Sequence, residues 1–311
     1  MAEFAYPHRP IASLEKLAIV LDTTVAELDF LSQNANNFYF KVKSIQKADG
    51  SYRDTYDVRD RLKTIHAKIV KNFLRIIDYP DYIQGGVPHR DYLSNTAMHT
   101  AKQVVISEDI TNFFSSVSRT IIYQVWSRFF KFAPVVCECL TNLVTYQGFL
   151  VQGAKTSGYL CNLIFWNREQ FLVDTLASQG FTYSRFVDDI TISSSKAITS
   201  EHKTEVIAKT YGMLQSCGVK PNRKKHHIMP KGSSQKVHRV NVVTNKPTFD
   251  KKERSAIRAA VHECEIHFSK SKSSSEYEKL FNTTMGRVQK IKRLHIEEAN
   301  KLLARLQKIK P

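Results

Sequence analysis

Residues 181–195 read FTYSRFVDDITISSS. Aromatic and β-branched residues alternate with small or polar ones on both sides of a break, which predicts strand, tight turn, strand. The break holds Asp188 and Asp189, between Phe186-Val187 and Ile190-Thr-Ile192. Asp is common in turns, and alone the pair would be no more than a hairpin tip. Upstream, QVVISED (103–109) is a second apolar strand, and it ends on Asp109. An acid at the end of an apolar strand is costly unless a cation or water meets it. If the two strands are neighbours, Asp109 and Asp188 converge, and their oxygens suit a hard cation such as Mg2+. Two such ions roughly 3.5–4 Å apart stabilise both the attacking and the leaving oxygen of an in-line phosphoryl displacement.

Between the acids lies GFLVQGAKTSGYLCNLIF (148–165). Here Gln152-Gly153-Ala154 precedes an apolar helix that carries Asn162. Gly153 permits close backbone approach, and Thr156 and Ser157 are helix-start groups. Near the N-terminus, the spacing of Ile11, Leu14, Leu17, Ala18 and Leu21 predicts a short helix, and Thr24 with Glu27 makes a capping box for a second. Alternation from Phe38 to Val58, with Asp49-Gly50 as the turn, predicts a hairpin carrying Lys41, Lys43 and Arg53. Helices are expected over 61–77 (stopped by Pro80), 118–146, 157–178, about 200–216, and nearly all of 250–311, with Ser271–Ser275 as a flexible link. Mixed strands, hairpins and helices make the class α+β.

The 311 residues carry 46 Lys+Arg against 29 Asp+Glu, a formal charge of +17, with 42% hydrophobic residues. That hydrophobic fraction excludes a chain disordered throughout. No uninterrupted apolar run is long enough to span a bilayer, and the best candidate, Ile121 to Val144, is broken by Arg128, Lys131 and Glu138, so no membrane insertion is expected. The N-terminus lacks a signal-peptide pattern, and the five cysteines form no CxxC pair. A cytoplasmic protein follows. Positive charge concentrates at Lys220 to Arg254, eleven Lys/Arg against two acids, with aromatic and His residues interleaved. Such a surface fits a phosphate-backbone partner.

The motifs fall in a telling order: D-x-x-x-FF at Asp109, Q-G-A-x-T-S at Gln152, Y-x-R-F-V-D-D at Tyr183 and N-x-x-K at Asn222. This order resembles reverse transcriptases, specifically the bacterial retron type. Asn95-Thr-Ala-Met-His99 is similar to the retron N-A-x-x-H element, with its His ten residues before Asp109. There are departures. Lys155 and Gly158 replace usual prolines, Phe186-Val187 replaces tyrosine-alanine, and Val237-His238-Arg239 stands where retron enzymes carry V-T-G.

The resemblance implies an α+β right-hand polymerase. Residues 1–100 would form N-terminal helices and fingers (118–160 contributing), 101–248 a ferredoxin-like palm, and 249–311 a helical thumb. It implies two Mg2+ ions, with Asp109, Asp188, Asp189 and the Ile110 carbonyl as the catalytic and metal set. Arg53 would grip the incoming triphosphate, Lys225 would meet the departing pyrophosphate, and Gln152 and Gly153 would lie near the nascent base pair. Phe114 would block a ribose 2′-OH, while Phe113 is core. Asn95, His99, His238 and Arg239 would contact RNA. Strand alternation turns Glu108 away from Asp109, as a surface charge.

As a function, the resemblance implies DNA synthesis from dNTPs on the enzyme's own structured noncoding RNA. Priming from an RNA 2′-OH would give a branched RNA–DNA product (msDNA) for anti-phage defence, alongside a separate effector protein. Alternatives are a self-primed or untemplated polymerase of the abortive-infection kind and a non-catalytic RNA-binding protein. The intact Asp109, Asp188 and Asp189 argue against the last.

Overall fold

The computed structural model describes residues 3–47, 50–270 and 274–311. Two short helices open the chain, α1 (Leu14–Val20) and α2 (Val25–Asn34). Thr24 caps α2, its Oγ1 accepting from the Glu27 N–H, but the Glu27 carboxylate turns to Arg61 instead of closing the capping box. Strands β1 (Tyr39–Gln46) and β2 (Tyr52–Val58) form the antiparallel hairpin. Gly50 takes the left-handed conformation (φ +80°) that a tight turn asks of glycine. Its expected partner Asp49 lies outside the described residues. So do Ser271 to Ser273, most of the expected link.

Helix α3 (Asp60–Ile69) runs into a single π-turn, and α4 (Tyr92–Ala97) is capped by Asp91. Then come β3 (Val104–Asp109), α5 (Phe113–Ser116), α6 (Arg119–Gln124), α7 (Pro134–Val144), α8 (Ser157–Leu163) and α9 (Glu169–Ser178). The long helices expected over 118–146 and 157–178 are each two pieces. Pro134 cannot continue a helix and starts a new one, and residues 164–168 turn between α8 and α9. Strands β4 (Phe181–Phe186) and β5 (Asp189–Ser194), helix α10 (Ser200–Ser216), β6 (His227–Pro230) and the short pair β7 (Lys236–Val237) and β8 (Val240–Asn241) follow. Helices α11 (Lys251–Lys270), α12 (Ser275–Lys292) and α13 (Ile296–Gln307) close the chain.

The central sheet has the order β4-β5-β3-β6, all neighbours antiparallel. This makes the strand ending on Asp109 and the hairpin carrying the Asp pair direct partners, as the site requires. One large apolar core joins this sheet to the helices up to α10, from Ile11 to Val219. A second core fills the space between α11, α12 and α13 and takes in Leu93 and Val240. Among the described residues, no helix is long and apolar enough to cross a membrane. All five cysteines are free thiols.

Candidate active site

The register places Asp109, the last residue of β3, opposite Asp189, the first of β5. The Ile110 N–H donates to the Asp188 carbonyl at 3.1 Å, which ties the two chain segments together just beyond the strands. Asp109 accepts from Asn222 Nδ2 (3.0 Å) and from Lys225 Nζ (2.8 Å), and its own carbonyl accepts from the Asn222 N–H (2.7 Å). The N-x-x-K turn is thus strapped to the strand end.

The hairpin tip is held in an unusual shape. Val187 has φ +59°, the left-handed region that a β-branched side chain rarely enters. Strain of this kind persists only where the surroundings over-determine it. Here they do. The fully buried Arg185 donates to the Val187 carbonyl and to the Asn162 side chain, both at 3.2 Å. The same guanidinium forks onto the equally buried Glu169, and Tyr183 donates its hydroxyl to that carboxylate at 2.7 Å. Asn162 in turn donates to the Gly85 carbonyl. Gly85 lies so close to the tip that a Cβ there would stand 2.6 Å from the Val187 nitrogen. None of Gly85, Asn162, Glu169 and Arg185 was assigned a role from sequence, although a charged residue inside an apolar strand was a visible signal for Arg185.

Burial raises the Asp188 and Asp189 pKa values, and the neighbouring carboxylates raise them further. Asp189 is pushed up to about 6. A backbone hydrogen bond and the Lys225 and Arg53 charges pull Asp188 back down, so Arg53 of the β1–β2 hairpin lies within electrostatic reach of Asp188. The arrangement is a concentration of negative charge in oxygen ligands, which fits a divalent cation. It is not a ready-made cage. Among the described residues, no three His, Cys, Asp or Glu side chains converge as a ligand set. Both Asp109 oxygens already have donors. An ion held here would complete its shell with oxygens from water or from a substrate.

Gly153 behaves as its motif predicts. It has φ +110°, and a Cβ would lie 2.2 Å from the Tyr56 carbonyl of β2, while the Tyr56 N–H donates to the Gln152 carbonyl. Thr156 and Ser157 differ from expectation. Thr156 makes no capping bond, and both hydroxyls are buried without a hydrogen-bond partner. Phe113 stacks on Phe165 in the core, whereas Phe114 is only half-buried.

Of the four residues expected to touch RNA, three are turned inward. Asn95 and His99 are fully buried. His99 lies 2.7 Å from both Ser184 Oγ and Ser193 Oγ, and burial lowers its pKa to about 3, so the ring is neutral and bonds one hydroxyl as donor and the other as acceptor. His238 exposes 12% of its side chain. Its Nε2 accepts from Asn95 Nδ2 at 2.6 Å, its ring meets the Phe186 ring edge-on, and Nδ1 faces Asp189 Oδ2 at 3.6 Å. Burial lowers the His238 pKa to about 4, so this last contact is dipolar and not an ion pair. Only Arg239 is exposed, in a left-handed conformation (φ +65°). Glu108 also departs from expectation. It is buried, not a surface charge, because Tyr211 and His226 close over it.

Asp109 and Asp189 thus face each other at the strand ends with Asp188 alongside, and Lys225 reaches Asp109 from the N-x-x-K turn. Residues 45–276 match the family described as reverse transcriptase (RNA-dependent DNA polymerase). The chain is similar to the retron Se72 reverse transcriptase of Salmonella heidelberg (strain 579083-10), 36% identical over 97% of this chain and 80% of the relative. It is also similar to the retron Ec48 reverse transcriptase of Escherichia coli, 30% identical over 99% of this chain and 78% of the relative. An apo telomerase of Candida tropicalis aligns at 12% identity over 73% of this chain and 61% of its own, with a TM-score of 0.45. The chain belongs to the reverse transcriptase family, in its retron branch, and is an RNA-directed DNA polymerase with the α+β right-hand fold. The family implies dependence on a divalent metal.

Proposed function

We propose that this enzyme copies its own structured noncoding RNA into single-stranded DNA, primed from an RNA 2′-OH, and so makes a branched RNA–DNA molecule. The near-full-length match to the Salmonella retron enzyme carries this reading. By the same reading the product serves anti-phage defence, with a separate effector protein, in the cytoplasm. The C-terminal helices α11 to α13 act as a thumb over the template–primer hybrid, the central sheet as palm and the β1–β2 hairpin as fingers.

Within the site, Asp109, Asp188 and the Ile110 carbonyl would hold two Mg2+ ions, with Asp189 as a supporting acid. Bound there, the ions would supply charge neutralisation at the attacking and leaving oxygens. Arg53 grips the triphosphate by a fork that only a guanidinium offers. Lys225, already hydrogen-bonded to Asp109, stands ready to neutralise or protonate the departing pyrophosphate. Phe114 lies under the sugar and leaves no room for a 2′-OH. Gln152 and Gly153 pack near the nascent base pair, where the Gly153 approach to Tyr56 fixes the loop.

The test uses the full chain purified with its RNA, given dNTPs and Mg2+. The expected product is DNA joined to RNA through a 2′–5′ bond, cleaved from it by a debranching enzyme, and absent with Asp188→Asn/Asp189→Asn although RNA still binds. DNA with a free 5′ end would overturn the priming reading. Synthesis by the double variant would overturn the assignment of the acids.

A further inference from the structure

One turn of chain grips the end of β3 from both of its faces. On the face of Asp109 lie Asn222 and Lys225, at 3.0 and 2.8 Å from its two oxygens. On the opposite face, Glu108 is fully buried between two donors. His226 Nδ1 lies 2.6 Å from Oε1, and the Tyr211 hydroxyl lies 3.0 Å from Oε2. His226 is the residue after Lys225. The Arg223 guanidinium, from the same turn, lies over the Tyr211 ring at 5.9 Å. A buried carboxylate is expensive unless hydrogen-bonded, so Glu108 strongly favours the one placement of His226 that satisfies it. Fixing His226 fixes the backbone of Lys225 beside it. The Lys225 side chain itself is 56% exposed and has a flexible stem, so its aim depends on that anchor.

We propose that Glu108, through His226 and Tyr211, is a positioning residue that aims Lys225 at the reacting phosphates. Glu108 touches no substrate; it sets the turn from behind. The proposal rests on the reading of Lys225 given above. A role in stability alone would leave Glu108 indifferent to whether residue 225 is a lysine.

A double-mutant cycle separates the possibilities. Single-turnover dNTP incorporation on an annealed primer is measured for the full chain, Lys225→Gln, Glu108→Gln and the double variant. Glu108→Gln is expected to lower the rate roughly tenfold, within the range of coupled neighbours, and to cause no further loss once Lys225 is gone. Equal fold-losses in both backgrounds would overturn the proposal and leave the role of Lys225 intact. An unchanged rate in Lys225→Gln would overturn the role of Lys225, and the clamp with it. Should Glu108→Gln fail to fold, Tyr211→Phe, which keeps the ring beneath Arg223 and removes one hydrogen bond, enters the same cycle. Its smaller loss must likewise vanish in the Lys225→Gln background, and persistence there overturns the proposal.

Discussion

Arg185 and Arg305 each fork onto a glutamate through Nε and Nη2, at 2.6 and 2.8 Å to Glu169 in one case and 2.8 and 2.7 Å to Glu265 in the other. The first pair has no solvent exposure; the side chains of the second are 41% and 31% exposed. Distances this alike give no clue to consequence. In the C-terminal helices water competes for both charges, and the pair decorates a bundle whose apolar core already defines it. In the palm the charges meet each other, Tyr183, Asn162, the Val187 carbonyl and the Phe165 ring in place of water, and together these hold the Asp188-Asp189 hairpin in a strained shape. Burial converts a surface ornament into a positioning device. The same contrast separates adjacent residues elsewhere, His238 from Arg239 and Phe113 from Phe114.

The sharpest break of this contrast is Glu169→Gln, which strands a buried guanidinium. It should cost about 3–5 kcal/mol in denaturant unfolding. A loss as small as that of a surface pair would show that the palm network does not position the tip. Next comes the adjacent pair His238 and Arg239. His238→Ala removes a ring packed on Phe186 and facing Asp189, and should slow synthesis roughly tenfold or more on native RNA and on a generic annealed primer alike. Arg239→Ala removes only an exposed charge, so its smaller loss should appear mainly on native RNA and shrink as salt rises. Equal selectivity of the two variants in primer assays would erase the distinction. Phe114→Ala should weaken discrimination against ribonucleotides by on the order of 10–100-fold with modest effect on dNTP use. Unchanged discrimination with lowered stability would make Phe114 core, like its neighbour. The smallest effect belongs to Glu265→Gln, about 0.2–1 kcal/mol, where the exposed fork is lost.

How much of this was legible in the sequence follows the same line. Period-2 alternation around Asp188-Asp189 and ending at Asp109 gave the hairpin and its partner strand, because hydrophobic patterning is read face by face. Gly153 was legible because only glycine permits that approach to Tyr56. The polar interior was not. Whether Glu108 faces water or His226 depends on where residues 211 and 226 come to lie, more than a hundred positions away in sequence. His99 and Asn95 carried a family motif that reads as nucleic-acid contact, but two serines and a histidine draw them inside. The single helix expected over 118–146 failed for a local reason that was visible, the proline at 134.

The palm buries Asp188 and Asp189 close to Asp109, at a cost set first by desolvation and then by mutual repulsion, which a bound cation would offset. Asp189 provides the sign. Its pKa rises from 3.8 unfolded to about 6 folded, so between those values the folded chain holds a proton that the unfolded chain lacks. Stability then falls as pH rises through that window and stays lowered above it. Thermal unfolding of the wild type and of Asp188→Asn/Asp189→Asn, near neutral pH in EDTA and in Mg2+, tests this without any turnover. The account predicts that the variant melts higher than wild type in EDTA, and that Mg2+ raises the melting temperature of wild type only, by mass action on the folded state. An equal Mg2+ response in both proteins, or a variant less stable than wild type in EDTA, would contradict it.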